Sequence, residues 1–266
     1  VGTRTYEDDA GLQARVLAHQ RYSEHSVDFY AWVVEHAPWQ GGEHILDVGC
    51  GNGALFPYWV AHQAQITALD RSPGMIARAR ARGARARLLV GDAQALPFPD
   101  ATFDLVFAVH VFFLVEDVDA ALREAWRVLK WGGHLVASTN TEESQAPLYE
   151  IHNRALSAVG RPPSPPPHLR FPLGRGTAMV RKVFGNARVD VLHNAFLFPS
   201  VDPAWDYYMS GIVDDVGGPP LTPEERARVG REARSLMDAI FARRSVWRIP
   251  KDAGVIVAQK LDTGDA

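Results

Sequence analysis

Cysteine is nearly absent: Cys50 stands alone in 266 residues, so no intrachain disulfide can form. No Cys/His group has structural-zinc spacing, and His25, His152 and His168 show no ligand spacing, so no metal is expected. Neither sign of charge prevails. Lys plus Arg is 28 and Asp plus Glu is 31, a formal charge of −3 with the His neutral. That balance provides no global field for nucleic acid or an anionic membrane. Arg78, Arg80, Arg82, Arg85 and Arg87 point round several faces and read as a solvated surface. No apolar run reaches the roughly 18 residues that would span a bilayer. Residues 1–9 are polar and acidic, without the basic start and apolar stretch of a signal peptide, so a cytoplasmic protein is expected. Nucleic acid and membrane are not expected as partners, and nothing in the sequence speaks to oligomeric state.

What is present suits a globular chain. Hydrophobic residues make up 47%, charged residues 22% and aromatics 10%, enough to build a sizeable core. A helical pattern over Ala10–His36 ends at Pro38 and Gly41-Gly42. Short apolar runs then alternate with helical stretches. Strands are expected at His44–Val48, Gln65–Asp70, Arg87–Val90, Phe103–Val109 and Leu135–Thr139. Helices are expected at Leu55–His62, Pro73–Arg82 with Ser72 as N-cap, and Val118–Leu129. Alternation of this kind implies a doubly wound, mainly parallel sheet covered by helices on both faces.

The regularity stops near Thr141. A helix is expected over Glu142–Val159, then a stiff connection through Arg161-Pro162-Pro163-Ser164-Pro165-Pro166-Pro167. Arg188–Phe198 and Gly254–Leu261 read as strands, with helices at Pro203–Met209 and Thr222–Arg244 between them. The expected organisation is an N-terminal helical lid (1–40), an α/β core (41–140), a helix and Pro-rich insertion (141–187), and two final strands (188–266) around a helical insertion (200–250).

Chemistry concentrates where the first strand meets the first core helix, at His44-Ile45-Leu46-Asp47-Val48-Gly49-Cys50-Gly51-Asn52-Gly53. Glycines there let the backbone turn sharply and approach a ligand. In an open α/β sheet, ligands bind beyond the carboxyl ends of the strands. Asp70 ends the second strand, where a carboxylate can accept from a ribose diol, and Gly91-Asp92-Ala93 ends the third at the same edge. Asp47 sits just before the glycines. A carboxylate there suits a cationic ligand and repels a pyrophosphate, which disfavours a dinucleotide oxidoreductase despite the Gly49-x-Gly51-x-x-Ala54 spacing. Asp70 and Asp92 also fit a role as helix N-caps. Cys50 is read as a small residue whose backbone matters rather than as a nucleophile.

From Glu43 to Thr139 the chain resembles the class I S-adenosylmethionine-dependent methyltransferases, specifically the bacterial small-molecule group. The resemblance rests on Leu46-Asp47-Val48-Gly49-Cys50-Gly51-Asn52-Gly53, Leu69-Asp70-Arg71-Ser72-Pro73-Gly74-Met75, Gly91-Asp92-Ala93-Gln94-Ala95-Leu96-Pro97-Phe98, Phe103-Asp104-Leu105-Val106, Leu122-Arg123-Glu124-Ala125 and Arg127-Val128-Leu129-Lys130-Trp131-Gly132-Gly133. It implies a seven-stranded Rossmann-like methyltransferase sheet with a helical accessory lobe, and S-adenosylmethionine as cofactor. Gly49, Cys50 and Gly51 would then pass under the methionine part, and Asp47 would face its ammonium. Asp70 would take the ribose hydroxyls, with Arg71 and Met75 flanking the adenine. Asp92 would accept from the adenine amino group beside Ala93 and Gln94. The backbone from Ala108 to His110 would run along the methionine. Two departures stand out: Trp131 replaces the family's usual Pro, and Val111-Phe112-Phe113-Leu114 replaces a Leu-His-His run.

The acceptor side is marked less clearly. His110 fits a general base, and equally a packed histidine or a backbone contact. Phe113 fits an aromatic pocket or core filling. Trp205 and Tyr208 share one side of a helix, and with Tyr22 fit either a cover over an apolar acceptor or ordinary packing. The function expected is in-line methyl transfer to a small-molecule acceptor. RNA methylation and a non-catalytic cofactor-binding module are the alternatives.

Overall fold

The computed structural model of the chain describes residues 9–83 and 85–262; the first eight residues of the expected lid lie outside them. The chain forms two compact units and passes between them five times.

The helical pattern over Ala10–His36 resolves into two helices, α1 (Asp9–Tyr22) and α2 (Phe29–Glu35). The break has one distant cause and one local cause. Ser23 leaves the helix to make an isolated β-bridge with Phe196, and Asp28 caps the second helix by accepting from the Ala31 N–H at 3.0 Å. The expected boundary at residue 40 therefore gives way to one at Ser26/Val27. α2 buries Val33 and Val34 in the core of the sheet unit, whereas α1 buries Ala18 among Phe196 and Tyr207 in the other.

The sheet unit comprises Val27–Thr141, Arg170–Leu192 and the described residues from Ala253 onward. Its elements follow the expected alternation: β1 (His44–Val48), α3 (Phe56–Ala61), β2 (Gln65–Asp70), α4 (Pro73–Ala81), β3 (Ala86–Val90), β4 (Phe103–Val109), α5 (Val118–Val128) and β5 (Leu129–Asn140). Ser72 caps α4 as expected, accepting from the Met75 N–H at 3.3 Å. β5 begins earlier than its apolar run suggests. Phe103 pairs with Leu129 but Leu105 with His134, so Lys130-Trp131-Gly132-Gly133 bulges out of a ladder that then resumes.

Beyond β5 the unit adds helix α7 (Leu173–Phe184) and the strands β6 (Arg188–Leu192) and β9 (Ala253–Gln259). The seven strands lie in the order β3-β2-β1-β4-β5-β9-β6. The first five are parallel to one another, and β9 runs antiparallel between β5 and β6. This is the doubly wound, mainly parallel seven-stranded sheet expected from the sequence. Strands covered on both sides explain the unbroken apolar runs. One face packs Leu46, Val106 and Leu135 under α5 and α7; the other packs Ile45, Leu105 and Phe107 under α2, α3 and α4. α7 (Leu173–Phe184) belongs here rather than to an insertion, because Val180 and Phe184 are buried in that first core.

The second unit takes the described residues of Val1–Ser26 with Glu142–Leu169 and His193–Asp252. It holds α1, α6 (Ala146–Ser157), α8 (Val201–Met209) and α9 (Pro223–Phe241) around its own core of Leu148, Phe198, Tyr208 and Met237. Thr222 and Glu225 form a capping box at the start of α9. The expected strand over Arg188–Phe198 is in fact two strands in different sheets. β7 (Ala195–Phe198) pairs antiparallel with β8 (Trp247–Pro250). Asn194 stands at the break, its carboxamide oxygen accepting from the His25 and Ala195 N–H groups. The 200–250 insertion is thus closed by a short strand as well as by helices.

Candidate active site

Strand register brings the sequence-predicted residues to one edge. Val48 pairs with Leu69, Asp70 with Val90, and Asp47 with Phe107. The chain therefore leaves β1 at Gly49, β2 beyond Asp70, β3 at Gly91 and β4 at His110, all at the carboxyl ends of parallel strands.

The glycine loop turns back on β2. The N–H groups of Gly49 and Cys50 both donate to the Leu69 carbonyl, at 2.7 and 3.1 Å. Gly49 and Gly51 have φ of +69° and +54°, a region other residues enter at a cost of about 1–2 kcal/mol. A Cβ on Gly49 would lie 2.2 Å from Val111 Cγ2, whereas one on Gly51 would meet nothing within 4 Å. The loop is therefore tightly packed at Gly49 and open at Gly51. Asp70 fastens it: one carboxylate oxygen accepts from the Gly51 N–H at 2.9 Å and the other from the Ser72 N–H at 2.8 Å. Each oxygen keeps a further lone pair for a ligand.

Asp47 is only 1% exposed, and Trp59 donates its indole N–H to it at 3.1 Å. Burial pushes its carboxyl up to about 7; the Trp59 hydrogen bond opposes the rise and the charge of Asp70 adds to it. A buried carboxylate with one donor is poorly compensated and suits a cationic partner. Its folded value lies above the unfolded one near 3.9. The folded chain thus holds a proton the unfolded chain has released, and stability falls as pH rises from about 4 to about 7. Asp47→Asn is expected to stabilise the ligand-free protein by on the order of 3–4 kcal/mol at pH 8, with the gain vanishing toward pH 4. Urea titrations of both proteins across that range check it; a gain independent of pH refutes the assignment.

Cys50 is buried, and burial pushes its thiol up, as do the charges of Asp47 and Asp70. A thiol held protonated has none of the character a nucleophile needs.

Asp92 carries an internal partner. The Gln94 side-chain NH2 donates to both Asp92 oxygens at 3.0 Å and the Gln94 backbone N–H to one at 2.9 Å, while Gln94 Oε1 accepts from the Asp117 N–H at 2.8 Å. Ala93 packs into the core. Arg127 on α5 holds the following turn, donating to the Phe98 and Leu96 carbonyls at 2.8 and 3.0 Å. Arg71 is exposed and Met75 half-buried just beyond Asp70.

Residues 46–137 match the methyltransferase domain family. The match lies within the stretch that resembles the class I S-adenosylmethionine-dependent methyltransferases. It is 42% identical over 98 residues to a malonyl-[acyl-carrier protein] O-methyltransferase of Serratia marcescens, covering 37% of this chain and 38% of that one. It is 36% identical over 133 residues to a ubiquinone/menaquinone biosynthesis C-methyltransferase of Xanthomonas oryzae pv. oryzae, covering 45% and 53%. The chain thus spans from under two fifths to about half the length of these curated relatives. A structure described as a putative methyltransferase from Bacillus halodurans C-125 superposes with a TM-score of 0.63 at 18% identity, over 89% of this chain and all of that one. That likeness establishes the fold.

The residues of this site fit S-adenosylmethionine, the cofactor that the resemblance implies. Space stands open where Gly51 lacks a side chain, and spare carboxylate acceptors wait at Asp47 and Asp70. Among the described residues no group of three or more His, Cys, Asp or Glu could hold a metal, and no helix is long and apolar enough to cross a membrane.

His110 has φ +54°, stabilised where its N–H donates to the Ser138 carbonyl and hydroxyl, both at 3.2 Å. Its ring stacks on Phe29 with centroids 4.9 Å apart and meets Phe113 edge-on at 6.0 Å. Phe112 is core, against Phe171, while Phe113 is half-buried. Ala108 lies inside the sheet, fully buried and paired with Ala137, so its side chain faces core.

Tyr22, Trp205 and Tyr208 lie in the other unit. Tyr22 packs on Phe198 at 5.4 Å. Trp205 donates to the Gly230 carbonyl at 3.2 Å and lies beneath the Arg234 guanidinium. Tyr208 is fully buried, its hydroxyl 2.8 Å from His152 Nδ1. His152 Nε2 must donate to the Asp215 carbonyl at 2.9 Å, so Nδ1 accepts from Tyr208.

Sequence reasoning missed Trp59, Val111, Phe29 and Arg127. The signal for Trp59 was present: Phe56 and Trp59 share the inner face of α3, and a buried indole needs an acceptor. The other three act through contacts distant in the chain.

Proposed function

We propose that this protein transfers a methyl group from S-adenosylmethionine to a small-molecule acceptor. The observation that carries the reading is the row of Asp47, Gly49, Gly51 and Asp70 along one sheet edge, with the Asp70 carboxylate fastened to the loop it serves. When bound, the cofactor supplies an electrophilic methyl for a single in-line displacement. Asp47 draws the ammonium, giving its buried carboxylate the counter-charge it lacks. The remaining lone pairs of Asp70 take the ribose hydroxyls, with Arg71 and Met75 bordering the adenine. Asp92 accepts from the adenine amino group once the Gln94 amide turns aside, and Ala93 lines that end. Gly49, Cys50 and Gly51 serve through their backbone, as do Ala108 and His110 along the methionine.

On the acceptor side we assign His110 and Phe113. His110 stands first after β4 with its ring held between aromatics, a geometry suited to taking a proton from an acceptor that must lose one. Tyr22 and Trp205 are half-buried and Tyr208 is fully buried within the other unit, where their contacts with Phe198, Arg234 and His152 favour the packing reading of all three. The relatives' names cover an oxygen and a carbon acceptor, so the acceptor atom is left open. A cytoplasmic location, where the lone thiol stays reduced, belongs to the same reading.

Isothermal titration with S-adenosylhomocysteine tests it. One-to-one binding in the micromolar range is expected, and no heat at high micromolar concentration refutes the reading. Turnover of labelled cofactor with small-molecule acceptors separates an enzyme from a binding module. Methylation of RNA, with affinity falling steeply in salt, would move the substrate class instead.

A further inference from the structure

Lysine is rare in this chain. Only four of its 28 basic residues are lysines, Lys130, Lys182, Lys251 and Lys260. Three have evident structural tasks. Lys130 pairs with Asp104 at 2.8 Å and Lys182 with Asp119 at 3.8 Å. Lys260 is buried and donates to the Leu129 carbonyl at 2.8 Å.

Lys251 differs. It directly follows β8, and its N–H is held by the Asn194 carbonyl at 2.9 Å. Its Nζ lies 4.6 Å from the centroid of the buried Phe196 ring, 3.1 Å from His19 Nδ1 and 2.5 Å from Ser23 Oγ. None of these is a carboxylate. Burial pushes the amine down to about 8, and no neighbouring charge enters as a cause. His19 itself is exposed, and its ring packs on Phe196 with centroids 4.8 Å apart. All of these groups lie within one compact unit. A cation used for packing or solubility is cheaply served by arginine, as elsewhere in this chain. Arginine cannot shed its proton, whereas lysine in a dry setting can.

We propose that Lys251 is a nucleophilic amine that accepts an acyl group from a small acyl thioester, with Ser23 and His19 orienting it. The neutral amine lone pair attacks the thioester carbonyl carbon. The N–C bond forms, the C–S bond breaks, and the thiolate leaves. The proton shed by nitrogen passes to His19 Nδ1 and then to the departing thiolate. The product is a neutral amide, for which burial against Phe196 carries none of the penalty borne by an ammonium. The step needs no S-adenosylmethionine and no other co-reactant.

The test is acylation of the wild-type protein by N-acetylcysteamine thioacetate, read as the rate at each lysine by peptide mass spectrometry over a pH series. Near neutral pH, Lys251 is expected to react about tenfold faster than Lys130 and Lys182, whose ammonium groups are held in ion pairs with Asp104 and Asp119. Its rate should level off just above pH 8. Ser23→Ala and His19→Gln are expected to slow Lys251 severalfold and leave Lys130 and Lys182 unchanged. The proposal is overturned if Lys251 lags behind either of those lysines, if its rate climbs in parallel with theirs, or if both variants leave it unaltered.

Discussion

Gly49→Ala is expected to weaken cofactor binding by a hundredfold or more, the first of the two largest effects in the molecule. Two costs combine. The residue must hold φ +69°, which charges any L side chain about 1–2 kcal/mol. The new methyl would also lie 2.2 Å from Val111 Cγ2 and 2.9 Å from its Cβ, and overpacking of this kind costs about 1–3 kcal/mol. The free loop sheds these costs by moving off the Leu69 carbonyl that the Gly49 and Cys50 N–H groups share, and binding must restore that arrangement. The double variant Gly49→Ala/Val111→Ala separates the costs, since it removes the overlap and leaves the backbone strain. About half of the lost affinity should return. Gly51→Ala makes the contrast. Nothing lies within 4 Å of its Cβ, so the ligand-free fold should lose only the backbone term while binding still suffers. Titration calorimetry and urea unfolding on the four proteins check the scheme. Equal binding by Gly49→Ala and wild type refutes it.

Asp70→Ala is expected to cost binding even more, by about a hundredfold to ten-thousandfold. Hydrogen bonds to a charged acceptor contribute about 1.5–3 kcal/mol each, and two ribose hydroxyls are at stake. The substitution also orphans the Gly51 and Ser72 N–H groups, loosening the glycine loop and the start of α4 together. Asp70→Asn distinguishes these roles. Its carboxamide oxygen satisfies one of the two backbone donors, but its NH2 confronts the other. It should fold better than the alanine variant yet bind almost as poorly. Affinity within threefold of wild type for Asp70→Ala would put the ribose elsewhere. Adenosine alone, which keeps the diol but lacks the ammonium, should feel Asp70→Ala and ignore Asp47→Asn.

The sheet edge that carries Asp47, Gly49, Asp70 and Asp92 was legible because these residues sit at strand ends. β1, β2 and β4 are buried on both faces, so each is an apolar run whose end marks where the chain turns. A carboxylate or glycine at that point is placed by connectivity alone. Where pairing partners are distant, the sequence was mute. β7 and β8 are four residues each, and nothing local says that Trp247 meets Phe198 across the α8–α9 excursion. The early start of β5 was hidden because Lys130-Trp131-Gly132-Gly133 looks like a turn, and only the register against Phe103 and Leu105 identifies a bulge. The α1–α2 break was hidden for a similar reason, since Ser23 answers to Phe196. Helical spacing set Trp205 and Tyr208 on one side of α8 but could not reveal that the Tyr208 hydroxyl is engaged by His152 on another helix. Spacing along one element says which side chains are neighbours; it does not say what they face.

The order of the sheet carries a consequence for biogenesis. β9, the last of the seven strands to emerge from the ribosome, inserts between β5 and β6 and bonds to both. Until it emerges, the nascent protein exposes an unsatisfied ladder along β5 and a β6 with nowhere to dock, the kind of raw edge that invites aggregation. A premature stop before Ala253 would therefore discard more than a tail: it would leave the translated polypeptide dependent on chaperones, however intact its cofactor-binding half.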